Sequence, residues 1–331
     1  MQAFLTSTDG RREACEAAAP RLGLPAVSIE KDFWVTWILR EMFSLAEWGP
    51  HLTFKGGTSL SKCWQLIERF SEDIDLVIDR SFLGFHGDTL GNKKLQRLRD
   101  ACRERIRESL LPALRDRIAA GLPGQVWSLV LATPEEDPEG QTLMFRYPTV
   151  FPDRSRYIAP LVKIELGARS DTEPHESPRI RPMLADVFPD LLIGSEVVVR
   201  AVAPRRTFWE KALLLHEETY RPADRRRKPR MSRHYYDLHR LIEKGVATAA
   251  LSDAGLLERI VAHRRVFFRH SWMDYDTMQR GRLRLVPLPE QEADWRKDYA
   301  AMRGEMFFGE PPAFDDVIVT VRRFQTEING T

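Results

Sequence analysis

Cysteine is scarce in this chain. Cys15, Cys63 and Cys102 lie far apart among 331 residues, odd in number and in no Cys-x-x-Cys spacing. That argues against a disulfide framework or a structural zinc site and fits a reducing cytoplasm. No run of 18 apolar residues exists, so no membrane span is expected. The first residues lack the basic, apolar and small-residue succession of a secretory leader. Excess charge is missing too: 50 basic residues stand against 48 acidic ones, for a net charge of +2. Global polyanion binding is therefore not announced, and the local distribution has to decide. Neither Gly-x-x-x-x-Gly-Lys-Ser/Thr nor Gly-x-Gly-x-x-Gly occurs, and there is no Gly-x-Ser-x-Gly elbow. His234 and His239 are five apart, which is not the spacing of a helical zinc pair, and the eight histidines read as structural or surface groups.

What is present is a soluble-type composition, 43% hydrophobic and 30% charged, long enough for about two domains. A short helix is expected over 11–19, stopped by Pro20, and another from 29 to 48 with Ser28 as its N-cap. A compact strand–turn–helix–strand unit follows, with strand 51–54, the turn Lys55-Gly56-Gly57-Thr58, helix 59–68 and strand 73–78. After a glycine-rich loop at 81–92, a long basic helix at 93–119 is interrupted at Pro112. Strands are expected at 126–132, 142–147, 159–167 and 196–203. From Arg205 the pattern turns helical, at 205–220, 232–244, 248–268, 290–304 and 313–328. A boundary near 204 thus separates a mixed lobe, 1–204, from a helical lobe, 205–331.

The sharpest chemical feature is the pair Asp73 and Asp75. Residues i and i+2 of a strand point to one face, and two adjacent carboxylates repel unless a cation lies between them. Magnesium carried by a nucleoside triphosphate fits, since this ion takes one or two carboxylates plus phosphate oxygens. A solvated polar face is the alternative for the dipeptide pattern alone. Upstream, Gly56, Gly57 and Thr58 lie between a strand and a helix, where backbone can approach a phosphate closely; a plain tight turn is the other reading. Glu165 shares a strand face with Lys163 and offers a third carboxylate for a two-metal arrangement, or else a partner for a surface ion pair. Lys211 opens a helix that Ala212 to Leu215 mark as buried on one side. It suits phosphate neutralisation or a snorkelling surface role.

Two blocks resemble a known family. Phe54-Lys55-Gly56-Gly57-Thr58-Ser59-Leu60 and Arg69-Phe70-Ser71-Glu72-Asp73-Ile74-Asp75-Leu76 look like the AbiEii/AbiGii (MenT-type) toxins of the polymerase-β-like nucleotidyltransferase superfamily. Ile29 to Val35, Trp209-Glu210-Lys211-Ala212 and Tyr235-Tyr236-Asp237-Leu238 resemble the same family, so the likeness runs from about 28 to 245. Fifteen residues separate Gly57 from Asp73, which fits these toxins better than antibiotic-modifying relatives. The resemblance implies an α+β fold, a mixed β-sheet nucleotidyltransferase lobe flanked by helices, with a helical C-terminal lobe completing the active-site cleft. It implies that Gly56, Gly57, Thr58, Ser59 and Ser71 hold the triphosphate and that Asp73 and Asp75, with Glu165, bind magnesium. It further implies that Lys211 neutralises phosphate charge and that Asp237 is a further essential acid. The acceptor implied is RNA, at the tRNA 3′ end, and the partner is a separately encoded antitoxin.

The stretch 221–233 carries seven Arg or Lys and one Asp. Such a run is either a solvated loop or a phosphate-backbone contact, and Arg225, Arg226, Arg227, Lys228 and Arg230 are the RNA-binding candidates. The basic helix 93–119 and Arg264, Arg265 and Arg269 are candidates for extending that surface. Nucleotide transfer to a small molecule or a protein side chain is the second enzymatic reading. A catalytically silent RNA-binding module is the third, and it leaves Asp73 beside Asp75 without a reason.

Overall fold

The computed structural model describes the whole chain except Phe70, Glu72, residues 88–90 and 153–158, Gly304, Glu305, Phe308 and Thr331, and describes only the backbone of Gln2 and Ala3. Two residues of the Arg-x-Ser-x-Asp block, three of the glycine-rich loop and the end of the expected helix 290–304 therefore lie outside the described residues. The chain divides into two compact units. One comprises Met1–Cys63 and Ser71–Val202, the other Trp64–Phe70 and Ala203–Thr331.

The first unit is a mixed sheet with helices. Its strands are β1 (Leu52–Lys55), β2 (Ile74–Ile78), β3 (Ser128–Leu131), β4 (Thr142–Arg146), β5 (Leu161–Gly167), β6 (His175–Glu176), β7 (Arg179–Ile180), β8 (Val197–Val198) and β9 (Ala201–Val202). Seven of them form one sheet in the order β3-β4-β5-β2-β1-β9-β6, while β7 and β8 form a separate ribbon. β2 runs antiparallel to β1 and parallel to β5. The helices are α1 (Gln2–Thr6), α2 (Thr8–Leu22), α3 (Ala26–Phe43), α4 (Gly56–Lys62), α5 (Asn92–Arg105), α6 (Leu111–Gly121) and α7 (Leu184–Val187).

α3 is buried along most of its length, with Glu30, Lys31 and Glu41 buried beside its apolar residues. Trp34 and Trp37 on it meet Phe145 and Tyr147 of the sheet, Trp34 stacking on Tyr147 with ring centroids 5.5 Å apart. These aromatics supply much of the buried area that holds the sheet to its helix.

Several elements differ from the sequence expectation. α2 runs through Pro20 and ends at Gly23, whose left-handed backbone returns its N–H to the Ala19 carbonyl. Near Pro112 the backbone widens into a π-turn over Ile106–Leu110 before α6 begins, because proline has no N–H and crowds the carbonyl four residues back. The expected strand 196–203 is two strands with different partners: β8 pairs with β7, and β9 enters the main sheet beside β1. Pairing partners are non-local, so no residue pattern within 196–203 specifies them.

The second unit is helical: α8 (Pro204–Thr219), α9 (Arg233–Glu243), α10 (Val246–Ser252), α11 (Leu256–Phe267), α12 (Pro289–Arg303) and α13 (Phe314–Asn329). The expected helix 248–268 is broken at Gly255, which takes φ +75° between α10 and α11. Phe208, Trp209 and Phe324 pack edge to face in the core, and Tyr235 packs on Trp295. Among the described residues, no helix is long and apolar enough to cross a membrane.

Candidate functional site

In the first unit, alternation along β2 sends Ile74 and Leu76 into the core, where they are 0% and 1% exposed. Asp75 follows the other face, and Asp73 immediately precedes the strand. Asp75 stands level with Lys55 on β1 and with Glu165 on β5. The β2–β5 ladder begins at Ile74 and Ile164. Asp73, just before it, lies close enough to Lys163 for its charge to raise the pKa of that ammonium.

The expected glycine turn is already the start of α4, which ends at Lys62 rather than 68, and this helix start closes on the face. Gly56 takes φ +82°, and a Cβ there would lie 2.0 Å from Asp75 Oδ2 and 2.9 Å from its Cγ. The Asp75 carboxylate thus rests on the Gly56 backbone, an approach that only glycine permits. Thr58 is 1% exposed, and its hydroxyl donates to the Asp73 carbonyl. A hydroxyl has one proton to give, so the 2.9 Å hydrogen bond between Thr58 Oγ1 and Ser71 Oγ is donated by Ser71. Thr58 and Ser71 in this way pin the main chain that delivers Asp73. Ser59 is buried, and its Oγ makes no hydrogen bond within the described residues. Lys55 Nζ donates to Ser170 Oγ at 3.0 Å.

Lys163 Nζ is ion-paired with Glu165 Oε1, both side chains being partly exposed. Burial works to lower the pKa of the Lys163 ammonium, but the Glu165 hydrogen bond and charge, then Asp73 and Asp137, more than reverse it. Among the described residues no group of three His, Cys, Asp or Glu is arranged to hold a metal. The donors at Asp73 and Asp75 are oxygens only. They fit a hard divalent cation that takes two protein carboxylates and completes its shell with phosphate oxygens and water.

In the second unit, Lys211 on α8 and Asp237 on α9 come together with Arg69. Asp237 is 0% exposed. Arg69 Nε and Nη2 donate to its two oxygens at 2.6 and 2.8 Å, and Lys211 Nζ donates to Oδ2 at 2.7 Å. Burial alone would raise the Asp237 pKa, but Arg69 and Lys211 hold it well below the usual carboxylate range. Lys211 is shifted down, first by burial and then by Arg69, against the pull of Asp237. Two cations on one acid leave this buried cluster with one net positive charge. The segment carrying Arg69 is tied to α9 twice more. Tyr236 Oη accepts the Glu68 N–H at 3.3 Å, and Arg240 pairs with Glu68 at 2.7 Å.

The five basic candidates of 221–233 separate. Arg225, Arg226 and Lys228 are exposed and, with Arg227, line a cavity of about 1080 Å³. Arg227 is committed inward, 4.3 Å over the Trp295 ring and 3.1 Å from Glu218. Arg230 takes φ +65°, and its N–H donates to Asp298 at 2.6 Å. Arg264 pairs with Glu217, Arg265 with Asp276 and Arg105 with Glu47. Those three basic residues are held by acids on their own unit.

Arg69 is the member that sequence reading passed over, although it opens the Arg-x-Ser-x-Asp block. Its partner lies 168 residues away, and nothing local signals the pairing. The Lys163 position was legible, since alternation along 161–166 sets it beside Glu165.

A family model described as "Nucleotidyl transferase AbiEii toxin, Type IV TA system" matches residues 37–320, a span that includes the glycine turn, Asp73, Asp75, Glu165, Lys211 and Asp237. Among solved structures, the chain is similar to MenT4, a nucleotidyltransferase toxin from Mycobacterium tuberculosis. The identity is 16%, the TM-score 0.36, and the match covers 96% of this chain and 97% of that one. No curated protein matches.

Proposed function

Because the chain belongs to the AbiEii nucleotidyl transferase toxin family of type IV toxin–antitoxin systems, we propose that it transfers a nucleoside monophosphate from a nucleoside triphosphate to RNA, at the 3′ end of tRNA, with Asp73 and Asp75 at the centre of the site. The observation that carries this reading is the Asp75 carboxylate seated on Gly56, with the Asp73 main chain pinned beside it through Thr58 and Ser71.

The proposed chemistry is an in-line displacement. A bond forms between the acceptor hydroxyl oxygen and the α-phosphorus, the bond from that phosphorus to the bridging oxygen breaks, and pyrophosphate leaves with the electron pair. The hydroxyl proton passes to solvent. Asp73 and Asp75, with Glu165 as third candidate, would hold magnesium, which would supply Lewis-acid polarisation of the phosphate oxygens and lower the pKa of the attacking hydroxyl. Gly56, Gly57 and Ser59 are assigned to the triphosphate. Thr58 and Ser71 act through the main chain of Asp73. Lys211 is assigned to phosphate charge, and Asp237 is a positioning residue, acting through Lys211 and Arg69. Arg225, Arg226 and Lys228 are the cations assigned to the RNA backbone, with Arg227 and Arg230 shaping the loop that carries them. A cognate antitoxin, separately encoded, restrains the activity in the cytoplasm.

The experiment is direct. Purified protein is incubated with magnesium, each α-labelled nucleoside triphosphate in turn, and total tRNA. Label on RNA with wild type, and none with Asp73→Ala, is the expected result. Label on the protein alone would replace RNA with a side-chain acceptor, and no transfer under any condition would falsify the enzymatic reading.

A further inference from the structure

We propose that Lys163 is a resident counter-cation of the acidic face, holding Glu165 while the divalent ion is absent and competing with that ion for the carboxylates. The inference rests on the reading above, in which Asp73 and Asp75 bind the metal, and it concerns what sets the affinity of that binding.

The geometry begins with register. β2 and β5 are parallel neighbours, and Asp75 and Glu165 are partners in the ladder. Neighbouring strands lie about 4.8 Å apart, and like charges directly opposite each other on one face repel. Asp73, one step before the ladder, adds a negative charge that acts on Lys163. A positive charge among these acids offsets their repulsion.

Lys163 meets that need from within the sheet. It lies two residues before Glu165 on the same strand, hence on the same face, and the Asp73 charge acts on its ammonium. Its ammonium closes back on Glu165 Oε1. Lys55, which is level with Asp75 on the other side, sends its ammonium to Ser170 instead.

An ammonium and a divalent cation cannot both occupy the same lone pairs of Glu165. The Lys163 side chain is 31% exposed and that of Glu165 42%, so the ammonium can swing out on its flexible four-carbon stem without unpacking the core. Cation uptake at this face therefore includes breaking the Lys163–Glu165 pair, and the lysine weakens binding both by occupying an oxygen and by like-charge repulsion.

The test is a titration with manganese(II) alone, read as the loss of the free-ion electron paramagnetic resonance signal, on full-length protein without nucleotide. Lys163→Met and Lys163→Gln are expected to bind manganese about tenfold more tightly than wild type, and Lys163→Arg, which keeps the charge, as wild type does. Equal or weaker binding in both neutral variants overturns the counter-cation role. If wild-type binding is also lost in Asp73→Ala, the metal reading stands without it. Should no variant bind manganese, even with a non-hydrolysable triphosphate added, the metal assignment itself falls and this inference falls with it.

Discussion

The carboxylate of Asp75 lies on the backbone of Gly56 so closely that a methyl group at residue 56 would stand 2.0 Å from Oδ2. One strand and the turn that follows its neighbour are thereby locked together at the residue to which the chemistry is assigned. Gly56→Ala meets two penalties: left-handed backbone strain of about 1–2 kcal/mol and a clash relieved only by moving Asp75. Displacing a reacting group by about 1 Å costs roughly 10²-fold in rate. The expected outcome is a transfer rate lowered by about that factor with a cooperative melt retained, measured by label transfer and by thermal unfolding.

The Arg69–Asp237–Lys211 cluster makes opposite predictions for its members. Asp237→Ala strands two buried cations and is expected to cost about 3–5 kcal/mol, read by urea unfolding. Lys211→Met removes the cation whose burial is least compensated, while Arg69 keeps both of its bonds to Asp237. Stability unchanged or raised, with transfer abolished, is expected. The sign agrees with the titration shifts. The Lys211 pKa is depressed in the fold, so the charged form is a burden at neutral pH that is relieved only as pH rises toward the unfolded value. The Asp237 pKa is also depressed, so its stabilisation is complete above about pH 4 and is lost as pH falls below that toward its folded pKa. Asp237→Asn should flatten that acid limb. An Asp237→Ala variant as stable as wild type would contradict the cluster's assigned role.

His216 carries a second acid-sensitive contribution. It is 0% exposed; Nδ1 accepts the Arg284 N–H at 2.9 Å, and Nε2 faces Thr277 Oγ1 at 3.0 Å. The Thr277 hydroxyl already donates to the Asp274 carbonyl, so Nε2 is the donor and the ring is neutral. Burial pushes the pKa from 6.5 down to about 4. A depressed folded-state pKa gives stability that is present above pH 6.5 and declines as pH falls through 4, by up to about 1.4 kcal/mol per pH unit. Denaturant unfolding across pH 7 to 4 should show that slope in wild type and a shallower one in His216→Gln.

The basic loop separates recognition from structure. If RNA is the acceptor, replacing Arg225, Arg226 and Lys228 together by glutamine should weaken tRNA binding most at low salt, the difference shrinking as salt rises. The slope of log affinity against log salt should fall by about 0.7–0.9 for each phosphate that is no longer neutralised. Arg227→Ala should instead lower the melting temperature, because Arg227 covers the Trp295 ring and pairs with Glu218. Identical salt slopes in wild type and the triple variant would remove this loop from the RNA interface.

Strand and helix periodicity alone determined that this is a mixed lobe followed by a helical one, since each pattern is written in neighbouring residues. Alternation also decided that Lys163 and Glu165 share a face, because successive side chains of a strand point to opposite sides. Local pattern misjudged the ends of elements at Pro20 and Gly255, where capping and left-handed turns depend on what packs around them. Three relationships belonged to the tertiary structure only: the level pairing of Asp75 with Glu165, the seating of Asp75 on Gly56, and the closing of Arg69 on Asp237. Each joins residues from separate parts of the chain. Such pairings are chosen by the burial of whole surfaces, which no window of sequence contains.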